Sequence, residues 1–255
     1  MLQAHSFLWH YLWIAPHILQ LGLAFFMWLR GLHKTLPIFF TYIIFEAAKE
    51  LTLYALDIIP SATAESFWRV FFGGLIIEGI FKFAVIGELF SRVFGHYVTL
   101  GDLSAKIIRW GGALLVLSAT LIATRAPVDN TYRLIPISHI LEQTIYIVSC
   151  GLILFLFLFA AYFKLALNNT AGGIGLGLAI SSCIHLGTWA VMANGGLVDK
   201  RVQLDFLNLA AYHVCVLVWF YYLWAPRKVL VESTISVPAH NLDLWNRELE
   251  RLLQQ

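Results

Sequence analysis

Seven long, predominantly apolar stretches dominate this chain of 255 residues and restrict what it can fold into. A helix needs about 20 such residues to cross the hydrocarbon core of a bilayer. Gly, Pro and Asn cluster in the breaks between the stretches, as expected of turns. The sequence therefore predicts an all-α, polytopic membrane protein built as a single bundle of seven transmembrane helices. The predicted spans are residues 7–29, 37–59, 67–94, 106–125, 135–163, 171–193 and 204–224.

The composition supports a membrane protein and argues against a nucleic-acid-binding one. Only 13% of the residues are charged and 60% are hydrophobic, whereas soluble domains carry about 25% charged residues. The net charge is +2, and the basic residues form no single patch of the kind that binds nucleic acid. No Lys or Arg precedes the first apolar stretch, so we interpret that stretch as a mature helix and not as a signal peptide. Residues 1–225 form the predicted transmembrane domain.

Lys and Arg are distributed unevenly between the two sets of loops, and cytoplasmic loops carry the excess of these residues. We therefore expect the N-terminus outside and the C-terminus in the cytoplasm of a plasma (inner) membrane. The richer side holds Arg30, Lys34, Arg92, Lys106, Arg109, Lys164, Arg227, Lys228, Arg247 and Arg251. The poorer side holds Arg69, Arg125, Arg133, Lys200 and Arg201.

A predicted cytoplasmic tail, residues 226–255, follows the last span. Residues 240–254 have the spacing of an amphipathic helix, which would lie on the inner leaflet or dock on the base of the bundle. Binding of a cytoplasmic partner is the alternative for this segment. Its apolar stripe consists of Leu242, Trp245, Leu249, Leu252 and Leu253.

Six ionisable residues fall at about the same depth in the predicted spans. Ionisable side chains inside a bilayer are costly and face the bundle interior, a partner or water. A set of six at one level indicates a site and not an accident of packing. They are His17, Glu50, Glu78, Glu142, His185 and His213.

Charged residues at helical spacing predict an intramembrane charge network around this level. Glu46, Lys49 and Glu50 share a stripe of the second span, and Glu78 and Lys82 form an i,i+4 pair in the third. A buried ion pair often does no more than break even against an apolar replacement, so we interpret the network as functional. The residues predicted to bind a ligand or form an ion pathway are Glu46, Lys49, Glu50, Glu78, Lys82, Glu142 and His17.

His185 and His213 are the candidates for a heme or transition-metal site. The sixth and seventh spans bring them to nearly equal depth, and two such histidines can bind heme axially or hold a metal. The sequence has no CxxC, HExxH or HxxxH motif in its spans, so the signal is confined to these two residues. The three cysteines, Cys150, Cys183 and Cys215, are interpreted as small buried apolar residues without a disulfide framework.

Four segments resemble an uncharacterised bacterial family of seven-helix integral membrane proteins. They are Leu8–His17 (LWHYLWIAPH), Phe45–Ala47 (FEA), Lys82–Phe90 (KFAVIGELF) and Cys150–Phe159 (CGLILFLFLF). The resemblance covers most of the chain and implies the seven-helix fold. No activity comes with it.

Three functions fit these patterns, and the sequence leaves all three open. The first is a ligand-binding or sensing membrane protein with an outward-facing polar pocket for a small polar or cationic ligand. The second is a proton- or ion-coupled transporter that uses the charge network. The third is a heme- or metal-binding redox protein centred on His185 and His213. No catalytic set emerges from the sequence, which favours a protein that is not an enzyme.

Overall fold

A computed structural model of the chain shows an all-helical protein. It describes residues 5–94, 102, 105–113, 117, 131–163, 165, 169–193, 201–224, 246–247 and 250–251, without the side chains of 131–136 and 193. These residues contain no strand, so the all-α prediction is confirmed. Residues 105–113 are also helical. The helices with defined bounds are α1 (Phe7–Leu29), α2 (Leu32–Thr35), α3 (Pro37–Ile58), α4 (Ala64–Phe94), α5 (Thr131–Tyr162), α6 (Asn169–Ala193) and α7 (Arg201–Trp224).

Several helix ends differ from the predicted spans by a few residues. The bounds of α1 are those predicted, whereas α5 begins at Thr131, earlier than the predicted residue 135. The short helix α2 was not predicted, since one helical turn next to Gly31 leaves no periodic pattern. Most of the predicted span 106–125 beyond residue 113, and most of the tail with its predicted helix at 240–254, lie outside the described residues.

Three helix starts illustrate how local chemistry fixes the elements. The Ser6 hydroxyl caps α1 by accepting a hydrogen bond from Trp9 N at 3.3 Å. The first residue of α3 is Pro37, whose missing N–H costs nothing there. The Glu88 carboxylate of α4 then accepts a hydrogen bond from Phe39 N at 3.0 Å. A side chain from a neighbouring helix thus satisfies the start of α3 and fixes it against α4.

Five helices of the described chain are long and apolar enough to cross a membrane, by length and composition. They are Phe7–Leu29, Ala64–Phe94, Ile137–Tyr162, Asn169–Met192 and Arg201–Trp224. The helix α3 is not among them, because Glu46, Lys49 and Glu50 interrupt its apolar sequence. Its 22 residues would nevertheless extend about 33 Å at ~1.5 Å per residue. The chain is therefore a multi-pass helical membrane protein in which one long helix carries a concentration of charge.

The six long helices pack side by side in a ring. Following the ring from α1, each helix contacts the next in the order α3, α4, α5, α6 and α7, and α7 closes against α1. The helix α4 also contacts α6 across the ring. This arrangement encloses one interior to which all six helices can contribute side chains.

Two neighbouring pairs in the ring run parallel, namely α4 with α5 and α7 with α1. The parallel direction of α4 and α5 is seen where Trp68 meets His139 near the helix starts and Phe90 stacks on Phe155 near their ends. The chain therefore leaves α4 at one end of the bundle and returns to enter α5 at the other. Residues 105–113 lie in this return, where Gly111 packs against Phe83. Residues 105–113 contact both helices, since Gly111 also lies against Leu152 of α5.

The bundle has two halves of different character, which we define by the start of α1. The upper half contains the starts of α1, α4, α5 and α7 and the ends of α3 and α6; the lower half contains the opposite ends. The lower half is a continuous apolar core in which Trp219 is fully buried and meets the Phe39 ring edge-on at 5.2 Å. Other fully buried members of this core are Leu23, Met27, Tyr42, Ile43, Ile86, Leu89, Phe90, Phe94 and Leu156. Close packing here closes the lower side of the interior.

Candidate functional site

The upper half encloses a polar cavity of about 140 Å³ at the centre of the ring. Every helix of the ring contributes to its wall. Its lining residues are His17, Glu46, Lys49, Glu50, Phe71, Leu75, Glu78, Glu142, Tyr146, Ser181, His185, Asn208, Leu209 and Tyr212. Six of the seven residues predicted to bind a ligand are in this wall, and the seventh, Lys82, is bound to one of them.

Side-chain exposure shows from which direction the cavity is reached. Glu50 is 19% exposed, and Glu142 and His185 are each 16% exposed. Glu46 and Glu78, which lie further from the upper end on their helices, are only 6% and 7% exposed. Exposure therefore rises toward the upper end of the bundle, and the cavity opens in that direction.

Lys49 is the centre of the charge network in the cavity wall. Its ammonium nitrogen lies 3.1 Å from Glu46 Oε1 and 3.0 Å from Glu50 Oε1, and it also donates a hydrogen bond to Glu78 Oε2. A buried ammonium group that has three carboxylate partners uses all three of its N–H donors. The stripe on α3 predicted the first two contacts, and the third joins α3 to α4.

Lys82 extends the network from α4 to α5. Its Nζ is 2.5 Å from Glu78 Oε1, so that Glu78 holds a lysine on each carboxylate oxygen. The same ammonium group lies 4.1 Å from the centroid of the Tyr146 ring, which is a cation–π distance. The i,i+4 pair predicted from the sequence thus also contacts a ring of the neighbouring helix α5.

The network contains more carboxylates than ammonium groups. Glu46, Glu50, Glu78 and Glu142 line the cavity, against Lys49 in the wall and Lys82 behind it. Four carboxylates and two ammonium groups leave a formal excess of two negative charges when the histidines are neutral. Glu46 Oε2 is buried and has no hydrogen-bond partner among the described residues. A buried acceptor without a partner is costly, so a donor or cation within reach of this oxygen would stabilise the site.

A second cluster lines the α5–α6 wall. Glu142 Oε1 lies 3.2 Å from His185 Nε2, and Glu142 Oε2 lies 3.6 Å from His139 Nδ1. The His185 ring also stacks on Tyr146, with centroids 4.0 Å apart and an interplanar angle of 26°. Tyr146 therefore joins this cluster to Lys82 on its other side. The position of His139 close to Glu142 follows from their i,i+3 spacing.

The remaining wall contains polar contacts that sequence reasoning missed. Gln20 contacts two polar side chains. Its Oε1 lies 2.8 Å from His17 Nδ1, and its Nε2 donates a hydrogen bond to Tyr212 OH at 2.6 Å. Trp13 Nε1 donates to Glu50 Oε2 at 3.1 Å. The spacing of Trp13, His17 and Gln20 puts them on one face of α1, but their partners on α3 and α7 follow only from tertiary packing.

His213 does not share the cavity wall with His185. The His213 ring lies 5.9 Å from the ring of Tyr11 on α1, and His213 is not part of the cavity wall. Its neighbour Tyr212 occupies the wall instead, and successive residues of a helix point about 100° apart. The described residues contain no group of three or more His, Cys, Asp or Glu that could hold a metal ion. Binding of heme or a metal by His185 and His213 therefore stays a prediction.

No protein-family model, curated protein or solved structure matches this chain. The bacterial seven-helix family that four segments resemble is therefore not confirmed, although the long apolar helices agree with its membrane character. The function has to be argued from the chemistry of the cavity itself.

The cavity can accommodate a small ligand with a cationic group. Its volume of about 140 Å³ is close to the ~150 Å³ of an engineered cavity that binds benzene, which has six heavy atoms. Drug-sized ligands occupy pockets of about 300–1,000 Å³. Carboxylate oxygens would accept hydrogen bonds from the cation, and the rings of Tyr146 and Tyr212 supply apolar surface beside them. An anion would meet an excess of negative charge.

Proposed function

We propose that this protein binds a small organic cation, such as a primary ammonium compound of about six heavy atoms, in the polar cavity of the upper half. The observation that carries the proposal is the Glu46 carboxylate, which is buried in the cavity wall with one oxygen lacking a partner. An ammonium group of the ligand would supply the missing donor. Glu50 and Glu142, which are more exposed, would attract the cation toward the cavity.

Binding, and not passage through the bundle, is the function that the packing of the lower half favours. Below the cavity, Tyr42, Phe39 and Trp219 are fully buried against one another. A ligand that enters from the upper end therefore meets a closed floor. A binding or sensing protein needs such a pocket and a way to report its occupancy. A cytoplasmic partner of the tail would supply that output.

We also propose that the chain has seven transmembrane spans and that the upper end of the bundle lies outside the cell. The return between the parallel helices α4 and α5 needs one further crossing, and residues 105–113 are a helical part of it. Among the described residues, Arg30, Lys34, Arg92, Lys106 and Arg109 lie at or near the lower end, against Arg69, Arg133 and Arg201 at the upper end. The positive-inside rule then puts the lower end in the cytoplasm of the plasma (inner) membrane and the cavity mouth outside.

Ligand binding is tested with purified protein in lipid nanodiscs. The ligands are n-butylammonium, its neutral isostere n-butanol and the anion butyrate. The readouts are the melting temperature and the calorimetric heat of binding. We expect the ammonium compound alone to stabilise the protein. Glu46→Gln should weaken the binding of the ammonium compound at least tenfold, because glutamine keeps the size of the side chain and loses its negative charge.

The matched control is Glu65→Gln, since Glu65 is exposed and pairs with Arg69 on the surface of α4, away from the cavity. This variant should bind the ammonium compound as the wild type does. Equal stabilisation by the alcohol, or undiminished binding by Glu46→Gln, would contradict the proposal.

Coupled transport is the second candidate, and one observation favours it. Glu46 has a free carboxylate oxygen beside Lys49, so the same group can exchange a proton for a bound cation. Flux of radiolabelled butylammonium into proteoliposomes, with and without a pH gradient, separates the two functions. Uptake that depends on Glu46 and on the gradient would replace the binding proposal by transport.

The orientation is tested separately by accessibility. Lys34→Cys and Arg69→Cys are introduced one at a time into a variant without its native cysteines, and intact cells are labelled with a membrane-impermeant maleimide. We expect labelling at position 69 and protection at position 34. The reverse pattern would place the cavity mouth in the cytoplasm.

A further inference from the structure

Two of the three cysteines lie in contact on the outer surface of the ring. Cys150 of α5 and Cys183 of α6 have their sulfur atoms 3.4 Å apart. Cys183 is exposed and Cys150 partly exposed, whereas Cys215 is buried. The interpretation of all three cysteines as small buried residues therefore holds for Cys215 and is wrong for the other two. A thiol pair in contact is within reach of disulfide formation.

The surroundings of this pair are the lipid-facing surface of two candidate membrane spans. On α5, Ile147 and Leu154 lie on the same helix face as Cys150 and are more than half exposed. On α6, Leu176 and Gly187 are exposed on the face of Cys183. Both cysteines are far from the ends of their helices, in the apolar middle of the spans. Because charged, water-soluble oxidants do not enter this region, only a lipid-soluble molecule can reach both thiols.

We propose that Cys150 and Cys183 are a redox site that membrane quinones oxidise to an intramolecular disulfide. The two S–H bonds break and one S–S bond forms. The two electrons and two protons pass to the quinone, which becomes a quinol. Quinones are the class of two-electron acceptor that dissolves in the acyl region, so the oxidant and the thiols share one phase.

The bond would fix one wall of the cavity. Tyr146 lies one helical turn from Cys150, and His185 lies two residues after Cys183, so the stacked Tyr146–His185 rings join the same two helices at a similar level as the sulfur pair. A covalent link at this point holds α5 and α6 at one separation. The oxidation itself does not depend on whether the cavity binds a cation, so the two proposals fail independently.

The test uses the full-length protein in phosphatidylcholine nanodiscs, reduced and then treated with a short-chain ubiquinone analogue without oxygen. After quenching and denaturation, free thiols are labelled with N-ethylmaleimide and the intact mass is measured. The wild type should carry three labels before treatment and one afterwards, on Cys215. One quinol should form for each protein molecule. Ferricyanide, which does not enter the bilayer, should react at least tenfold more slowly.

Three variants make the result specific. Cys215→Ser should lose both remaining labels on treatment, whereas Cys150→Ser and Cys183→Ser should keep both of theirs. Serine at positions 150 and 183, which are partly exposed and exposed, should leave the melting temperature near that of the wild type, which is measured alongside. Retention of three labels by the treated wild type, crosslinking between molecules, or oxidation that persists in Cys150→Ser would each overturn the proposal.

Discussion

The upper and lower halves of the bundle are stabilised in different ways. In the lower half, Trp219 and Phe39 pack edge to face within a core of apolar side chains, and the Trp219 indole donates a hydrogen bond to Ile174 O at 3.1 Å. In the upper half, Lys49 and Glu78 contact each other around a cavity. Packing tolerates small errors of shape, whereas a buried charge tolerates no loss of its partner. The lower half therefore holds the helices together, and this rigid base keeps the charges of the upper half buried.

The largest effect is expected from Lys49→Met, which leaves three carboxylates without their shared cation. Breaking a buried pair costs about 3–5 kcal/mol, and we expect at least this loss in the free energy of unfolding. Reversible unfolding in mixed micelles measures it. Arg69→Met, which removes an exposed partner, is the control and should change stability by about 0.5 kcal/mol or less. Similar losses from both variants would mean that the upper half does not depend on its charge network.

The next effect is the coupling between Glu78 and Lys82. Glu78→Gln and Lys82→Met each strand a buried charge, while the double variant removes both at once. We expect the double variant to lose less than the sum of the single losses, with a coupling of about 0.5–3 kcal/mol. A complete double-mutant cycle by the same unfolding measurement gives this value. Strictly additive losses would show that the two side chains do not interact.

Two adjacent glycines of α6 probe the lower half with a matched pair. A Cβ at Gly173 would clash with the Tyr222 side chain of α7, whereas a Cβ at Gly172 has open space around it. Gly173→Ala should therefore destabilise the protein by about 1–3 kcal/mol through overpacking. Gly172→Ala should be neutral or stabilising, because alanine favours the helix by about 1 kcal/mol. Equal melting temperatures for the two variants would contradict the close α6–α7 packing.

The smallest effect is expected from Tyr212→Phe. This change removes the hydroxyl that accepts a hydrogen bond from Gln20 and keeps the ring beside His17. Hydrogen bonds between membrane helices contribute about 0.6 kcal/mol on average, so we expect a loss of that size. Adding Gln20→Leu should cost more, because it also removes the contact of Gln20 Oε1 with His17 Nδ1. A loss as large as that of Lys49→Met would remove the distinction between charged and neutral contacts in the upper half.

Helical spacing predicted which residues share a face, and this was enough for the charged centre of the cavity. Two neighbouring antiparallel helices bring their charged faces together. One face carries Glu46, Lys49 and Glu50, and the other carries Glu78 and Lys82. Spacing does not fix how far a helix is rotated about its own axis. For that reason the sequence placed His213 in the site, whereas Tyr212 occupies the wall.

The order of helices around the ring also lay beyond the sequence pattern. Short connections suggest antiparallel neighbours, and this holds for α3 and α4 and for α6 and α7. The parallel contacts of α4 with α5 and of α7 with α1 join helices that are distant along the chain. The contact of Cys150 with Cys183 was missed for a related reason. It depends on the outward faces of two helices, and apolar periodicity describes only the inward faces.

Ring closure by α1 and α7 has a consequence for biogenesis, because the last long helix of the described residues completes the wall begun by the first. Until α7 (Arg201–Trp224) has inserted, the interior is open on one side to lipid. The Lys49–Glu78 contact lies within the hairpin of α3 and α4, so opposite charges neutralise each other early in synthesis. A ribosome-bound intermediate that ends before α7 would therefore already carry its most costly side chains as an ion pair. Truncated chains of this kind would lack a closed wall but would keep the ion pairs of the hairpin, and membrane quality control would encounter them in that form.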